Sequence, residues 1–308
     1  MIEVTKVNYK SFKDCVKVSN GEIELIATTQ VGPRIIRFGF IGKDNMFFED
    51  ENNQIGHDLS KHHKFNDTHW HIYGGHRLWA APEIMPRTYY PDNEPVDYEI
   101  TNTGVILRAK NQVYNQLQNE IEISVLEDKN TVKVIHRIKN NNAWAVTFAP
   151  WALSVMAPGG KEFIPMPDKD TGYFPNRFIS LWKYTSLQDE RLYLGERYIT
   201  LKQRDDLTRE FKIGVYSQHA WAAYVNKGFM FVKEFEVIPG AQYADNNANY
   251  QTYTNHLMLE MESLGVLKSV EPGEYNEHTE VWHLYKDVPE APENESGFDE
   301  YFSKYIKK

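Results

Sequence analysis

Apolar and polar residues alternate with a period of two along most of the chain, for example at 22–26 and 34–41. Because successive side chains of a β-strand point to opposite faces, this alternation predicts strands that are buried on one face. Glycine-containing turns at 102–104 and 226–228 separate such segments and predict β-hairpins. Short strands with regularly spaced turn signals predict an all-β sandwich rather than βαβ units.

A helical period is found only near the C-terminus. There, large apolar residues recur at spacings of three and four, which predicts one short amphipathic helix: Phe298, Tyr301, Phe302, Tyr305 and Ile306. We expect it to dock on the sandwich or on a neighbouring subunit. An acidic, proline-containing stretch precedes it. We therefore expect one β-domain over residues 1–286 and a linker with a helix over residues 287–308.

Composition excludes several classes of protein. The 308 residues carry a formal net charge of -9, which argues against binding to nucleic acid phosphates. A single cysteine, Cys15, excludes a disulfide framework and a cysteine-rich zinc site. Neither a signal peptide nor an apolar run long enough to span a membrane is evident. We therefore expect a cytoplasmic monomer or homodimer that has no nucleic-acid or membrane partner.

Aromatic residues make up 14% of the chain. Aromatic side chains favour strands, and they also offer flat apolar faces with polar edges. This composition suits a sandwich core, and equally a cleft that holds a ring-shaped polar ligand such as a sugar.

The segment from residue 44 to 97 lacks the alternation and predicts long loops, which are often functional in compact domains. Six of the eleven histidines lie between residues 57 and 76. In an extended chain His69 and His71 share a face, as in half of a metal site, but no further ligands follow at metal-like spacing. We therefore predict no metal and no other cofactor.

Sequence context separates five histidines of this segment into two groups. His71 and His76 flank a Gly-Gly pair that permits close backbone approach, and we regard both as candidate functional residues. The remaining three are equally explained as solvated loop residues: His57, His62 and His63.

Arg77, Trp79 and Glu83 follow directly. Arginine offers a rigid fork of donors for hydroxyl or carboxylate oxygens, and tryptophan offers a stacking face. These residue types are typical of a sugar-binding site, although a structural Arg–Glu pair between loops would look the same.

A second candidate group lies near the end of the domain. If residues 255–262 form a strand, His256, Glu260 and Glu262 share one face. Two carboxylates at this spacing in a cleft raise a pKa toward that of a general acid or base. The alternative is a solvated face with lysine partners on neighbouring strands.

Taken in order, four segments resemble the galactose mutarotase-like (aldose 1-epimerase-like) superfamily: 22–38, 71–76, 257–263 and 270–274. The resemblance implies a single-domain β-supersandwich. It also implies that a glutamate removes the anomeric hydroxyl proton of a sugar while a histidine protonates the ring oxygen. By position, Glu260 corresponds to the base, with Glu262 as the fallback. His76 or His71 corresponds to the loop histidine, and Arg77 to a substrate-binding donor.

One position departs from the family pattern. Where mutarotases carry their second histidine, the usual acid, this chain has Trp151, which cannot donate a proton to a ring oxygen. Either another histidine such as His256 or His76 is the acid, or the reaction differs. We expect an aldose 1-epimerase-like isomerase acting on a free or modified monosaccharide. The alternatives are a carbohydrate-binding protein that uses Trp79, Trp151 and Trp182, or a lyase or glycosidase acting on a small oligosaccharide.

Overall fold

The computed structural model describes residues 1–62, 68–127, 129–170, 172 and 174–306. Strands account for 47% of the chain and helices for 4%, which confirms the all-β prediction. The described strands, in chain order, are β1 (Glu3–Tyr9), β2 (Phe12–Ser19), β3 (Ile23–Thr28), β4 (Arg34–Phe40), β5 (Gly56–Asp58), β6 (His69–His71), β7 (His76–Ala81), β8 (Asp97–Ile100), β9 (Gly104–Arg108), β10 (Leu117–Val125), β11 (Thr131–Asn140), β12 (Val146–Met156), β13 (Lys161–Pro165), β14 (Ile179–Leu181), β15 (Leu192–Leu194), β16 (Tyr198–Lys202), β17 (Phe211–Val215), β18 (Trp221–Asn226), β19 (Phe229–Phe235), β20 (Tyr250–Thr254), β21 (Leu259–Leu264), β22 (Lys268–Val270) and β23 (Tyr275–Tyr285).

The strands form two large antiparallel sheets. Over the described residues, the first sheet runs β1-β2-β3-β4-β7-β12-β21-β20-β17-β14, with β22 also paired to β12. The second sheet runs β15-β16-β13-β18-β19-β23-β11-β10-β9-β8, and β5 pairs with β6 as a separate hairpin. Strands β7, β12 and β21 are therefore neighbours in the middle of the first sheet.

The main core lies between the two sheets. Its centre is aromatic: Phe38 and Phe47 from one side meet Phe231 and Trp282 from the other, with ring centroids about 6 Å apart. Alternation follows burial closely in β23, where every second residue is buried. Most of the aromatic excess is thus accounted for by strand packing.

Two short helical segments complete the fold. Helix α1 (Ala244–Asn247) is an irregular turn, because Asp245 and Asn246 have φ values of 52° and 64°. Helix α2 (Phe298–Ser303) follows a 3₁₀ turn and packs Phe298 and Phe302 against the second sheet, with ring centroids 5.1 Å from that of Phe163. The predicted C-terminal helix is therefore present, and it docks on its own chain. Among the described residues, no helix has both the length and the apolarity needed to span a bilayer.

The middle of the first sheet is buried on both faces. One face of β7, β12 and β21 meets the second sheet, and the other is covered by the segments around residues 55–89 and 182–184. Two glycines allow the chain to enter β7 there. A Cβ atom on Gly74 would lie 2.1 Å from the carbonyl oxygen of Phe48, and one on Gly75 would lie 2.2 Å from that of Ile35. Both glycines have positive φ, so they are required for close approach and for backbone conformation.

Candidate functional site

A cleft of about 680 Å³ opens on the outer face of the first sheet. Seven tryptophans and tyrosines contribute to its lining, with charged side chains between the rings, as expected of a site for a polar cyclic ligand. The tryptophans and tyrosines of the lining are Trp70, Trp79, Trp151, Trp182, Tyr89, Tyr184 and Tyr253. The charged residues of the lining are Arg77, Glu83, Lys183, Glu210, Lys212 and Glu260, with His57 at the rim.

Arg77 and Glu260 form an ion pair in this cleft. Nη2 of Arg77 lies 2.9 Å from Oε1 of Glu260, and both side chains are less than a tenth exposed. The guanidinium lies over the ring of Trp79 at 4.4 Å and over that of Trp70 at 5.6 Å. This stacking fixes the plane of the guanidinium, and therefore the direction of its remaining N–H groups.

Several polar atoms of this pair lack hydrogen bonds. Nε and Nη1 of Arg77 are buried without a hydrogen-bonding partner, and Oε1 of Glu260 has no hydrogen bond beside its ion pair with Nη2 of Arg77. Nε1 of Trp70 is also buried without a partner. Buried polar groups of a folded protein are nearly always paired with protein or water, so these atoms can bond a ligand or water that enters the cleft.

Glu262 lies one step further along the same face of β21. Nζ of Lys212 contacts its two carboxylate oxygens at 2.8 and 3.1 Å, and Nε1 of Trp151 donates to Oε2 at 2.9 Å. Complete burial raises the pKa of Glu262 above its ordinary value, while Lys212 opposes that shift. Lys212 itself lies over the rings of Trp151 and Trp182, at 4.5 and 5.0 Å.

Tyrosine–carboxylate pairs frame the cleft. The hydroxyl of Tyr89 donates to Glu83 at 2.5 Å, and that of Tyr253 donates to Glu210 at 2.8 Å. Burial raises the pKa of both tyrosines, so both remain protonated donors at neutral pH. Glu83 thus pairs with a tyrosine rather than with an arginine on a neighbouring loop.

His76 lies on the opposite face of β7 from the cleft. It is fully buried between the two sheets, where Nδ1 bonds Ser154 at 2.8 Å and Nε2 bonds Nε2 of His136 at 2.7 Å. Desolvation holds the pKa of His76 well below its ordinary value, so the ring is neutral. Arg77 is adjacent in sequence and faces the cleft, as strand alternation requires.

The network around His76 also contains the carboxylate of Glu280 and the amino group of Lys233. Glu280 accepts from Ser263 and Trp282, at 2.5 and 2.7 Å, and its Oε1 lies 2.9 Å from Nζ of Lys233. Potential ligand atoms of His76, His136 and Glu280 lie within 4.8 Å of one another. All of these atoms are already hydrogen-bonded, and Lys233 already supplies a positive charge beside the carboxylate.

The candidates from the sequence are thus divided by the fold. Six of them line the cleft: Arg77, Trp79, Glu83, Trp151, Trp182 and Glu260. Glu262 lies directly behind, bonded to two lining residues. The rings of His71 and His69 stack with centroids 6.3 Å apart, on the face that alternation predicts. Neither His71 nor His256 is among the residues that line the cleft. His63 lies outside the described residues.

Sequence reasoning missed Lys212, Glu210 and the tyrosines of the cleft. A lysine within the apolar segment 211–215 was the one available signal, because lysine is rarely buried without a partner. The tyrosines gave no signal, since tyrosines that pack in the core have the same sequence context.

No family model matches this chain, and no curated protein does. Among solved structures, a galactose mutarotase-like protein from Lactobacillus casei superposes with a TM-score of 0.53 at 8% identity, covering 88% of this chain and all of that one. The chain has the galactose mutarotase-like fold. An aldose 1-epimerase candidate from Escherichia coli K12 shares the fold, with a TM-score of 0.51 at 10% identity, over 93% of this chain and 100% of that one.

The mutarotase-like fold also occurs within longer proteins. A TPR-domain containing protein from Parabacteroides distasonis matches 91% of this chain with a TM-score of 0.55 at 12% identity. The match spans only about half of that protein, 49% of its length. Identities this low establish the fold, and the activity has to be argued from the cleft itself.

Proposed function

We propose that this protein is an aldose 1-epimerase-like isomerase that interconverts the anomers of a free or modified monosaccharide. The observation that carries the proposal is the carboxylate of Glu260. It lies in a cleft lined by aromatic rings, with one buried oxygen that lacks a hydrogen bond, beside an arginine with two buried nitrogen atoms that lack hydrogen bonds. A sugar hydroxyl both donates and accepts, so it satisfies the carboxylate and the guanidinium together.

The chemistry assigned to Glu260 is general base catalysis. Its carboxylate removes the anomeric hydroxyl proton, the bond between the anomeric carbon and the ring oxygen breaks, and the ring oxygen takes up a proton. The open aldehyde then rotates and recloses by the reverse steps. Arg77 holds hydroxyl oxygens of the sugar, and the rings of Trp79 and Trp151 pack against its apolar faces.

The test is anomer exchange of several aldoses, followed by NMR exchange spectroscopy or by optical rotation. Glu260→Gln keeps the shape of the side chain and removes the base, so we expect the exchange rate to fall by about 100-fold or more. Glu271→Gln, at an exposed turn, is the matched control and should exchange sugars at the wild-type rate.

Two results would contradict this proposal. One is an unchanged exchange rate in the Glu260→Gln variant. The other is the absence of any aldose whose exchange the wild-type protein accelerates.

The dense aromatic lining favours a second candidate function, carbohydrate binding without turnover. Four tryptophans and three tyrosines line the cleft, which exceeds what proton transfer needs. Calorimetric titration that shows sugar binding, together with no acceleration of anomer exchange, would favour this function. In that case Trp79→Ala should weaken binding, and both wild type and Glu260→Gln should leave anomer exchange at its uncatalysed rate.

A further inference from the structure

We infer that Lys212 is the general acid of the proposed isomerisation, in place of the histidine that this chain lacks. The inference rests on the proposed function and adds a catalytic residue to it. The ammonium of Lys212 contacts both Trp151 and Glu262, a glutamate of β21.

Lys212 is built into the sheet. It lies on β17, separated from β21 only by β20, and its side chain is nearly inaccessible although it lines the cleft. The indole rings of Trp151 and Trp182 hold the ammonium at 4.5 and 5.0 Å. Ordering a lysine in this way costs rotamer entropy, and a surface lysine would keep that freedom.

The position of Trp151 supports the assignment of Lys212 as the acid. It occupies the position at which the resemblance to mutarotases places a histidine, and it contacts both Lys212 and Glu262. The ammonium therefore lies against the side chain that replaced the expected acid. An N–H group of Lys212 that is not used by Glu262 is available to a ligand in the cleft, because the ammonium has three.

The histidines fit the role less well. His76 faces the inter-sheet network with both ring nitrogens bonded, and His256 is not among the lining residues. His57 is the one histidine among the described lining residues, and it is exposed at the rim, with its ring 5.6 Å from that of Trp70. A solvent-exposed rim residue is poorly placed to protonate an oxygen at the base of the cleft.

Lys212 and Glu260 together account for both protons that move in the reaction. As the bond between the anomeric carbon and the ring oxygen breaks, Lys212 gives one proton to the ring oxygen, and Glu260 takes one from the anomeric hydroxyl. The amine and the carboxylic acid that result then reverse these roles, so that reclosure restores both groups. Glu262 remains beside the lysine as its counter-ion.

Several charged and titratable groups surround this ammonium. From β21 these are Glu262 and Glu260, and from β7 it is Arg77 across β12. The others come from β20, from the segments before β17 and after β14, and from the loop after β7: Tyr253, Glu210, Lys183, Tyr184 and Glu83.

The decisive variant is Lys212→Arg. A guanidinium keeps the positive charge beside Glu262 and the contact with the indole rings, but it does not release a proton at accessible pH. We expect the turnover number for anomer exchange to fall by about 100-fold, while sugar affinity measured by calorimetry stays within a few-fold of wild type.

A second variant tests the role of Lys212 independently of whether Lys212→Arg folds. Lys212→Ala leaves a cavity beside Glu262, and added ethylammonium should restore part of the exchange rate, whereas added guanidinium should not. The matched control is Lys268→Ala, at an exposed position of β22, which should exchange sugars at close to the wild-type rate.

The outcomes separate this inference from the proposed function. Exchange by Lys212→Arg at the wild-type rate, with Glu260→Gln inactive, would overturn the role of Lys212 and leave the isomerase standing. Lack of rescue by ethylammonium, or an equal loss of exchange in Lys268→Ala, would also overturn it. A wild-type protein that exchanges no sugar would overturn both.

Discussion

The strands β7, β12 and β21 carry two polar faces that behave in opposite ways. On the inner face, His76, Ser154 and Ser263 join a closed network with the second sheet, in which each ring nitrogen of His76 is bonded. On the outer face, Arg77 and Glu260 retain buried N–H and oxygen atoms without partners. The same three strands thus supply a sealed polar core and an open site.

This contrast distinguishes polar groups that stabilise the fold from polar groups that are available to a ligand. A network that satisfies every donor and acceptor gains stability and has nothing left for a ligand. A cluster with buried unpaired groups is costly in the free protein and is explained by a ligand that pairs them. By this criterion we assign the proposed site to the outer face, although the sequence placed candidates on both.

The largest effect is expected from breaking the inner network. Lys233→Met leaves the carboxylate of Glu280 buried beside no cation, and loss of one partner from a buried ion pair costs about 3–5 kcal/mol. The free energy of unfolding, measured in urea, should fall by that amount. Lys227→Met, at an exposed ion pair in the turn before β19, should change it by less than about 1 kcal/mol. Equal stability of the two variants would show that the inner network is not a stabilising unit.

A smaller effect is expected from His76→Ala. It leaves the hydroxyl of Ser154 and Nε2 of His136 each without their buried partner, so the free energy of unfolding should fall by roughly 1–3 kcal/mol. Sugar affinity and exchange rate at 25 °C should stay near wild type, in contrast to Glu260→Gln, which should lose exchange. A 100-fold slower exchange in a folded His76→Ala protein would instead place this histidine in the reaction.

The smallest effect concerns the pH dependence of stability. Burial raises the pKa of Glu162 from 4.5 to about 8, so between these values the folded state binds the extra proton and stability falls as pH rises. The buried His136 and His278, with pKa values of about 3, affect stability only below about pH 6.5.

Glu162→Gln isolates that contribution. The amide keeps the contacts with Tyr250 and Thr252 and does not titrate. Denaturant unfolding at pH 6.5 and pH 8.5 should show a smaller decrease in stability for the variant than for wild type. The same decrease in both proteins would mean that Glu162 is not the titrating group.

Much of the architecture could be predicted from the sequence. Period-two alternation and turn residues are local signals, so the all-β class, the hairpins and the C-terminal helix followed from them. The pair of carboxylates on one face of β21 followed for the same reason, because a strand fixes which side chains share a face. The partners of those carboxylates did not follow, since Lys212 comes from a strand about 50 residues away in sequence.

His76 shows most clearly where local reasoning ended. As part of a loop beside Arg77, it looked like a member of the same site. Once residues 76–81 form a strand, the two neighbours must point to opposite faces, and only packing against the second sheet decides which face is closed.

The sequence by itself determined the elements, which side chains share a face and the residues able to do acid–base chemistry, because these depend on local backbone geometry and side-chain type. The tertiary structure alone decided which of those residues meet, since pairing across β17, β20, β21, β12 and β7 brings distant segments together. It also decided burial. Burial controls whether a polar group is satisfied, and so separates the inner network from the cleft.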